Sequence, residues 1–155
     1  MSTHVAASGG ARMVDVSEKR TTHRRAEARS LVTMSSAAFA RLRAADVAKG
    51  DVLGTARIAG IMAAKRTHEL IPLCHPIALT KVTVDLELDP VASAVRIATV
   101  AEATDRTGVE MEALVAASVA ALTVYDMLKS IDRGMTLGPT ELASKSGGRS
   151  GDYRR

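Results

Sequence analysis

Several short segments bring together side chains capable of acid–base, nucleophilic or anion-binding chemistry. In Leu73-Cys74-His75-Pro76 a thiol stands beside an imidazole, the composition of a nucleophile with its base. Adjacent side chains in an extended segment point to opposite sides, and Pro72 and Pro76 bracket this one as a short irregular turn. A single Cys and His are also poor metal ligands without a C-x-x-C or H-x-x-x-H partner, and neither motif occurs. On its own the segment reads as a proline-fixed turn with a satisfied histidine, and a cysteine protease is disfavoured. Glu110-Met111-Glu112 opens a predicted helix, where the helix dipole suffices to explain one acid in the first turn. Asp126 and Lys129, three apart, share a face among the apolar Val124, Met127 and Leu128. A partly buried Asp beside a Lys titrates abnormally and marks a candidate site. Lys49-Gly50-Asp51 sets a lysine at a helix start, where phosphate can bind, although no Walker loop is present. Ser146-Gly147-Gly148-Arg149-Ser150-Gly151 is glycine-rich and basic. It reads either as a disordered tail or as a flap closing over phosphate.

The elements that must position these residues follow from periodicity and caps. Residues 1–12 read as a flexible arm and 13–152 as one domain, with a flexible basic tail at 153–155. Residues 26–34 alternate as a strand, and Ser35 or Ser36 can cap a helix over 37–47. Asp51 caps a second helix over 52–65, with Val52, Ala56, Ala59 and Ala63 on one face. Residues 79–88 alternate apolar with polar as a half-buried strand, Asp89-Pro90 turns the chain, and Val95 and Ile97 continue an antiparallel partner. A long, nearly all-apolar helix spans 110–131, and a last strand around 135–143 is interrupted near Gly138-Pro139. The order matches an α+β, ferredoxin-like (βαββαβ) antiparallel sheet with helices packed on one face. The apolar long helix predicts oligomerisation.

Composition narrows the functions these elements could serve. The chain has 155 residues, enough for one core, with a net charge of +4 and only 2% aromatics. Residues 1–45 carry a net +5, residues 46–132 a net −4 and residues 133–155 a net +3. Anionic partners should therefore meet the ends, and proton chemistry fits the middle. So few aromatics argue against stacking platforms for single-stranded nucleic acid, while 27 alanines favour close helix–helix or subunit contacts. One cysteine excludes an intramolecular disulfide. With no apolar signal core and no long apolar run, a cytoplasmic protein with no membrane partner is expected.

Taken in order, these segments resemble the molybdenum cofactor biosynthesis protein C family. The resemblance runs through Met13-Val14-Asp15-Val16, Lys49-Gly50-Asp51-Val52, Ala56-Arg57-Ile58-Ala59-Gly60 and Leu70-Ile71-Pro72-Leu73-Cys74-His75-Pro76. It continues through Thr107-Gly108-Val109-Glu110-Met111-Glu112, Tyr125-Asp126-Met127, Lys129 and Lys145-Ser146-Gly147-Gly148. Gly54 and Arg149 depart from the pattern, where a larger residue and a lysine are expected. The resemblance implies a homohexamer, a trimer of dimers with active sites at subunit interfaces. It implies a lyase that converts a cyclised dihydro-GTP, with ribose C3′ bonded to base C8, to cyclic pyranopterin monophosphate and pyrophosphate.

The residues make chemical sense of that reaction. Remaking a purine as a pterin needs several proton transfers and in principle no resident cofactor or metal, with Mg²⁺ allowed as a companion of the triphosphate. Lys49 and Lys129 are the expected acid and base, and Asp126 sets the lysine charge. A lysine acting as base needs a lowered pKa, which two nearby lysines could impose on each other. By similarity Leu73, Cys74, His75, Met111 and Glu112 line the substrate pocket, with His75 and Glu110 further acid–base candidates. Arg24, Arg25 and Lys145 are expected to neutralise the pyrophosphate that leaves on closure of the cyclic phosphate. Two other readings stand beside this one. A nucleic-acid-binding module of the same fold would show salt-dependent affinity for RNA, and a silent regulatory oligomer would fail a turnover assay.

Overall fold

The computed structural model describes residues 9–155; most of the expected N-terminal arm, residues 1–8, lies outside them. Six strands form one sheet and helices cover one of its faces. Strand β1 (Thr22–Thr33) lies at the centre and its burial alternates. Arg24, Ala26, Ala28, Ser30 and Val32 face the helices, while His23, Arg25, Glu27 and Arg29 face away. The strand begins four residues earlier than its apolar pattern suggests. Residues 21–25 read as a polar stretch in sequence, yet His23, Arg24 and Arg25 pair in register with Thr104, Ala103 and Glu102 of β3.

Ser35 caps α1 (Ser36–Arg43), its hydroxyl accepting from the Ala38 N–H at 3.2 Å. The helix ends before the expected Val47. Ala45 turns left-handed at φ 54°, and Asp46 N–H reaches back to the Arg41 carbonyl at 3.0 Å. That closure satisfies the last turn and stops propagation. Asp51 caps α2 (Val52–Lys65), which has the bounds expected of it. A short helix, α3 (Thr67–Leu70), follows and was not signalled by any cap. Strands β2 (Leu79–Asp89) and β3 (Ala94–Asp105) form the expected antiparallel pair.

Helix α4 (Glu110–Leu128) stops three residues short of its expected end. By length and composition it could cross a membrane, but more than half of it is buried inside the protein, against α2, β1 and β3. Gly60 permits the close approach of α2, since a Cβ there would meet the Ala116 carbonyl at 2.9 Å. The expected last strand is two, β4 (Thr136–Leu137) and β5 (Glu141–Ser146), separated by Gly138-Pro139. Residues 153–155, expected as a flexible tail, are paired instead. Tyr153–Arg154 forms β6 against β5, and Arg155 N–H donates to the Ala143 carbonyl at 2.9 Å. The strand order is β2-β3-β1-β5-β6, with β4 also on β1. The class is therefore α+β, an antiparallel sheet with helices on one face.

Candidate active site

Where β1 starts, β3 ends and α4 starts, the sheet and its loops enclose a cavity of about 1080 Å³. Lys145 on β5 reaches across its rim to Glu110 on α4, Nζ to Oε1 at 2.9 Å, and to the Ser150 hydroxyl at 3.2 Å. Residues 145–150 of the glycine-rich segment form one wall. Arg25, also on the wall, pairs with Glu27 at 2.5 Å and Glu102 at 3.4 Å. Arg24 also lines the cavity, but it is buried and its guanidinium donates to backbone carbonyls of Asp105, Arg106 and Gly147. The cavity also takes Arg149 of the glycine-rich segment, and Lys19, Arg20 and Arg106, three cations that the motifs do not single out. For Lys19 and Arg20 the sequence signal is only the excess of positive charge near the start of the chain, and Arg106, in the acidic middle, has none.

A second cavity of about 300 Å³ shares Lys19, Thr107, Gly108 and Glu110 with the first. Leu73, Cys74, His75, Met111 and Glu112 line it, as expected of the substrate pocket. Cys74 and His75 thus border one space although they are neighbours in sequence. The His75 Nε2 lies 2.7 Å from the Val14 carbonyl, tying residues near Asp15 to the pocket. Glu112 is buried, only 3% exposed. Burial lifts its pKa from 4.5 to about 7, and the charges of Glu110 and Asp105 add to the rise. Burial also pushes the Cys74 thiol up, with the Glu112 charge second, so the sulfur is held as a thiol at neutral pH rather than as a nucleophilic thiolate.

The other expected acid–base group lies elsewhere. Asp126 sits between two ammonium groups, Oδ1 at 2.7 Å from Lys129 and Oδ2 at 2.7 Å from Lys49. Lys49 also donates to the Asp126 carbonyl at 2.8 Å. All three side chains are about half exposed, so the apolar neighbours do not bury the pair. Hydrogen bonds from Lys129 and then Lys49 lower the Asp126 pKa from 3.8 to about 2. The same carboxylate raises the pKa of Lys129, the reverse of the lowered lysine expected from mutual repulsion. A carboxylate placed between two cations outweighs their repulsion.

Glu110 opens α4 and Asp126 lies near its end. At about 1.5 Å per residue the two are roughly 24 Å apart along the axis. The structure therefore brings together Leu73, Cys74, His75, Met111, Glu112, Glu110, Arg24, Arg25 and Lys145 at one end of the subunit. It brings together Lys49, Asp126 and Lys129 at the other.

Among known proteins, the family model described as the MoaC family matches residues 13–148. The chain is also similar to a cyclic pyranopterin monophosphate synthase of Methylobacterium nodulans. The two are 58% identical over 151 residues, covering 97% of this chain and 94% of the relative.

Proposed function

The chain belongs to the MoaC family, and on that premise we propose that it is a cyclic pyranopterin monophosphate synthase of molybdenum cofactor biosynthesis. Its substrate is the cyclised dihydro-GTP, and its product forms by general acid–base catalysis. A sugar hydroxyl attacks the α-phosphorus and gives its proton to a base in the pocket, the bond to the β-phosphate oxygen breaks, and pyrophosphate leaves; Mg²⁺, where bound to the triphosphate, would offset its charge. Ring opening and pterin closure need protons delivered and removed at the purine. Loss of pyrophosphate makes the enzyme a lyase, and cytoplasmic work suits such a metabolite.

The observation that carries the assignment of roles is the division of the site along α4. Proton transfer requires donor and acceptor within about 3 Å or one bridging water, so one subunit cannot bring both ends of α4 to one substrate. The Lys49–Asp126–Lys129 group of one subunit closes over the pocket of another in a ferredoxin-like homohexamer, a trimer of dimers. The exposed Ile58 and Met62 on α2 and Leu122 on α4 supply apolar surface for such contacts. Closure desolvates the two lysines, and a desolvated lysine loses its proton more readily. Asp126 favours the cationic form of Lys129 until then. In the facing pocket Leu73, Cys74 and Met111 support the base, His75 and Glu110 shuttle protons, and Glu112 offers a carboxyl poised near neutrality. Lys145 and Arg25, with the cations around them, take the charge of the leaving pyrophosphate.

The test is turnover of the cyclised intermediate by purified protein. Asp126→Asn and Lys49→Ala should each lower kcat by about a hundredfold or more, the usual worth of a positioned acid–base group. Rates within a few-fold of wild type would remove the assignment.

A further inference from the structure

Arg24 is a buried cation, 8% exposed, on the side of β1 that faces the helices, at the edge of the larger cavity. It takes part in no ion pair among the described residues. Each of its nitrogens is directed at the backbone: Nε to the Asp105 carbonyl at 3.3 Å, Nη2 to Arg106 at 3.2 Å and Nη1 to Gly147 at 3.2 Å. The planar guanidinium presents its donors as a fixed fork, so one side chain spans two separate loops. One is the β3–α4 turn, which carries Arg106 and leads into Glu110. The other is the strap that leaves the end of β5 just past Lys145 and carries Arg149 and Ser150 on the cavity wall.

The strap is shaped to lie on this residue. Gly147 and Gly148 are both left-handed, at φ 93° and 85°. A Cβ on Gly148 would overlap the Arg24 Nη1, and one on Gly147 would overlap the His23 carbonyl oxygen. Beyond the glycines, the Asp152 carboxylate accepts the Gly147 N–H at 3.2 Å, and β6 returns to pair with β5. The Lys145–Glu110 pair therefore joins the end of β5 to the start of α4, whose adjoining loops Arg24 ties together.

We propose that Arg24 is a positioning residue that latches the glycine strap to the β3–α4 turn, fixing Lys145 and Glu110 across the cavity without touching substrate. The kinetic part of this inference rests on the proposed synthase reaction; the structural part does not. Hydrogen exchange of residues 105–108 and 145–152, read by mass spectrometry on ligand-free protein, tests the latch directly. Arg24→Met and Arg24→Lys should both speed exchange there by about tenfold or more, because buried carbonyls lose charged donors. Lysine keeps the charge but cannot span three carbonyls, so it gives no rescue. Turnover should show a similar loss mainly in kcat, since the misplaced groups act on the bound substrate. Gly148→Ala, which leaves Arg24 intact, should reproduce both effects from the strap side.

The inference is overturned if exchange is unchanged while KM alone rises and Arg24→Lys restores it, which would make Arg24 a direct phosphate contact. It is equally overturned if exchange accelerates and kcat holds. Should neither Arg24 variant fold, Gly148→Ala decides by the same two readings. Failure of the reaction assignment would appear as no turnover by the wild-type protein, with the exchange result intact.

Discussion

At Glu112 burial outweighs the charges nearby, and its consequence reaches folding as well as catalysis. The carboxyl titrates near 4.5 unfolded and about 7 folded. Between those values the native state binds more protons than the unfolded one, so stability falls as pH rises through that window. Below about pH 4.5 both states are protonated and no penalty remains from this group. Glu112→Gln should therefore raise Tm at pH 8 by on the order of 5 °C, with the gain vanishing near pH 4.5. A melting series across pH checks it, and an equal gain at both ends would refute the linkage. The sequence placed Glu112 in the pocket through the family resemblance, but its titration depends on which side of the first helical turn faces the core. Charge type at Asp126 was equally legible, whereas the sign of the Lys129 shift was not. It required knowing that the carboxylate lies between the lysines.

Among the elements, α1 carries a correctable strain. Its closing turn places Ala45 at φ 54°, where a Cβ costs about 1 kcal/mol that glycine avoids. Ala45→Gly should stabilise the protein by about 0.5–1 kcal/mol in denaturant unfolding; a loss would show that unfolded-state entropy dominates. The elements with two agreeing signals were legible from sequence. Asp51 with an apolar stripe gives α2 its bounds, and strict alternation with Asp89-Pro90 gives β2 and its turn. Elements defined by a partner were not legible. The start of β1 looks like a charged loop until β3 pairs with it, and β6 looks like a basic tail until β5 does. Cap signals likewise say nothing about α3, which follows α2 by a single residue.

For the whole molecule, the basic ends of the sequence do converge. The larger cavity draws on residues near 15–25, on the β3–α4 turn and on 145–150. The division of the candidate site was present in the sequence as the number of helical residues between Glu110 and Asp126, but spacing alone does not say that the helix runs straight through the core. It leads to a prediction by mixing. Asp126→Asn and His75→Ala should each be inactive alone, yet co-expressed they should recover roughly a quarter or more of wild-type turnover, since shared sites in mixed dimers can be intact at one of two positions. No recovery would place the whole site within one subunit. In the proposed assembly α4 would serve two reaction centres, one at each end. A subunit defective at both ends would then spoil every centre it joined. In a cell making both forms, such an allele would act as a dominant negative, depleting cofactor further than the loss of one gene copy.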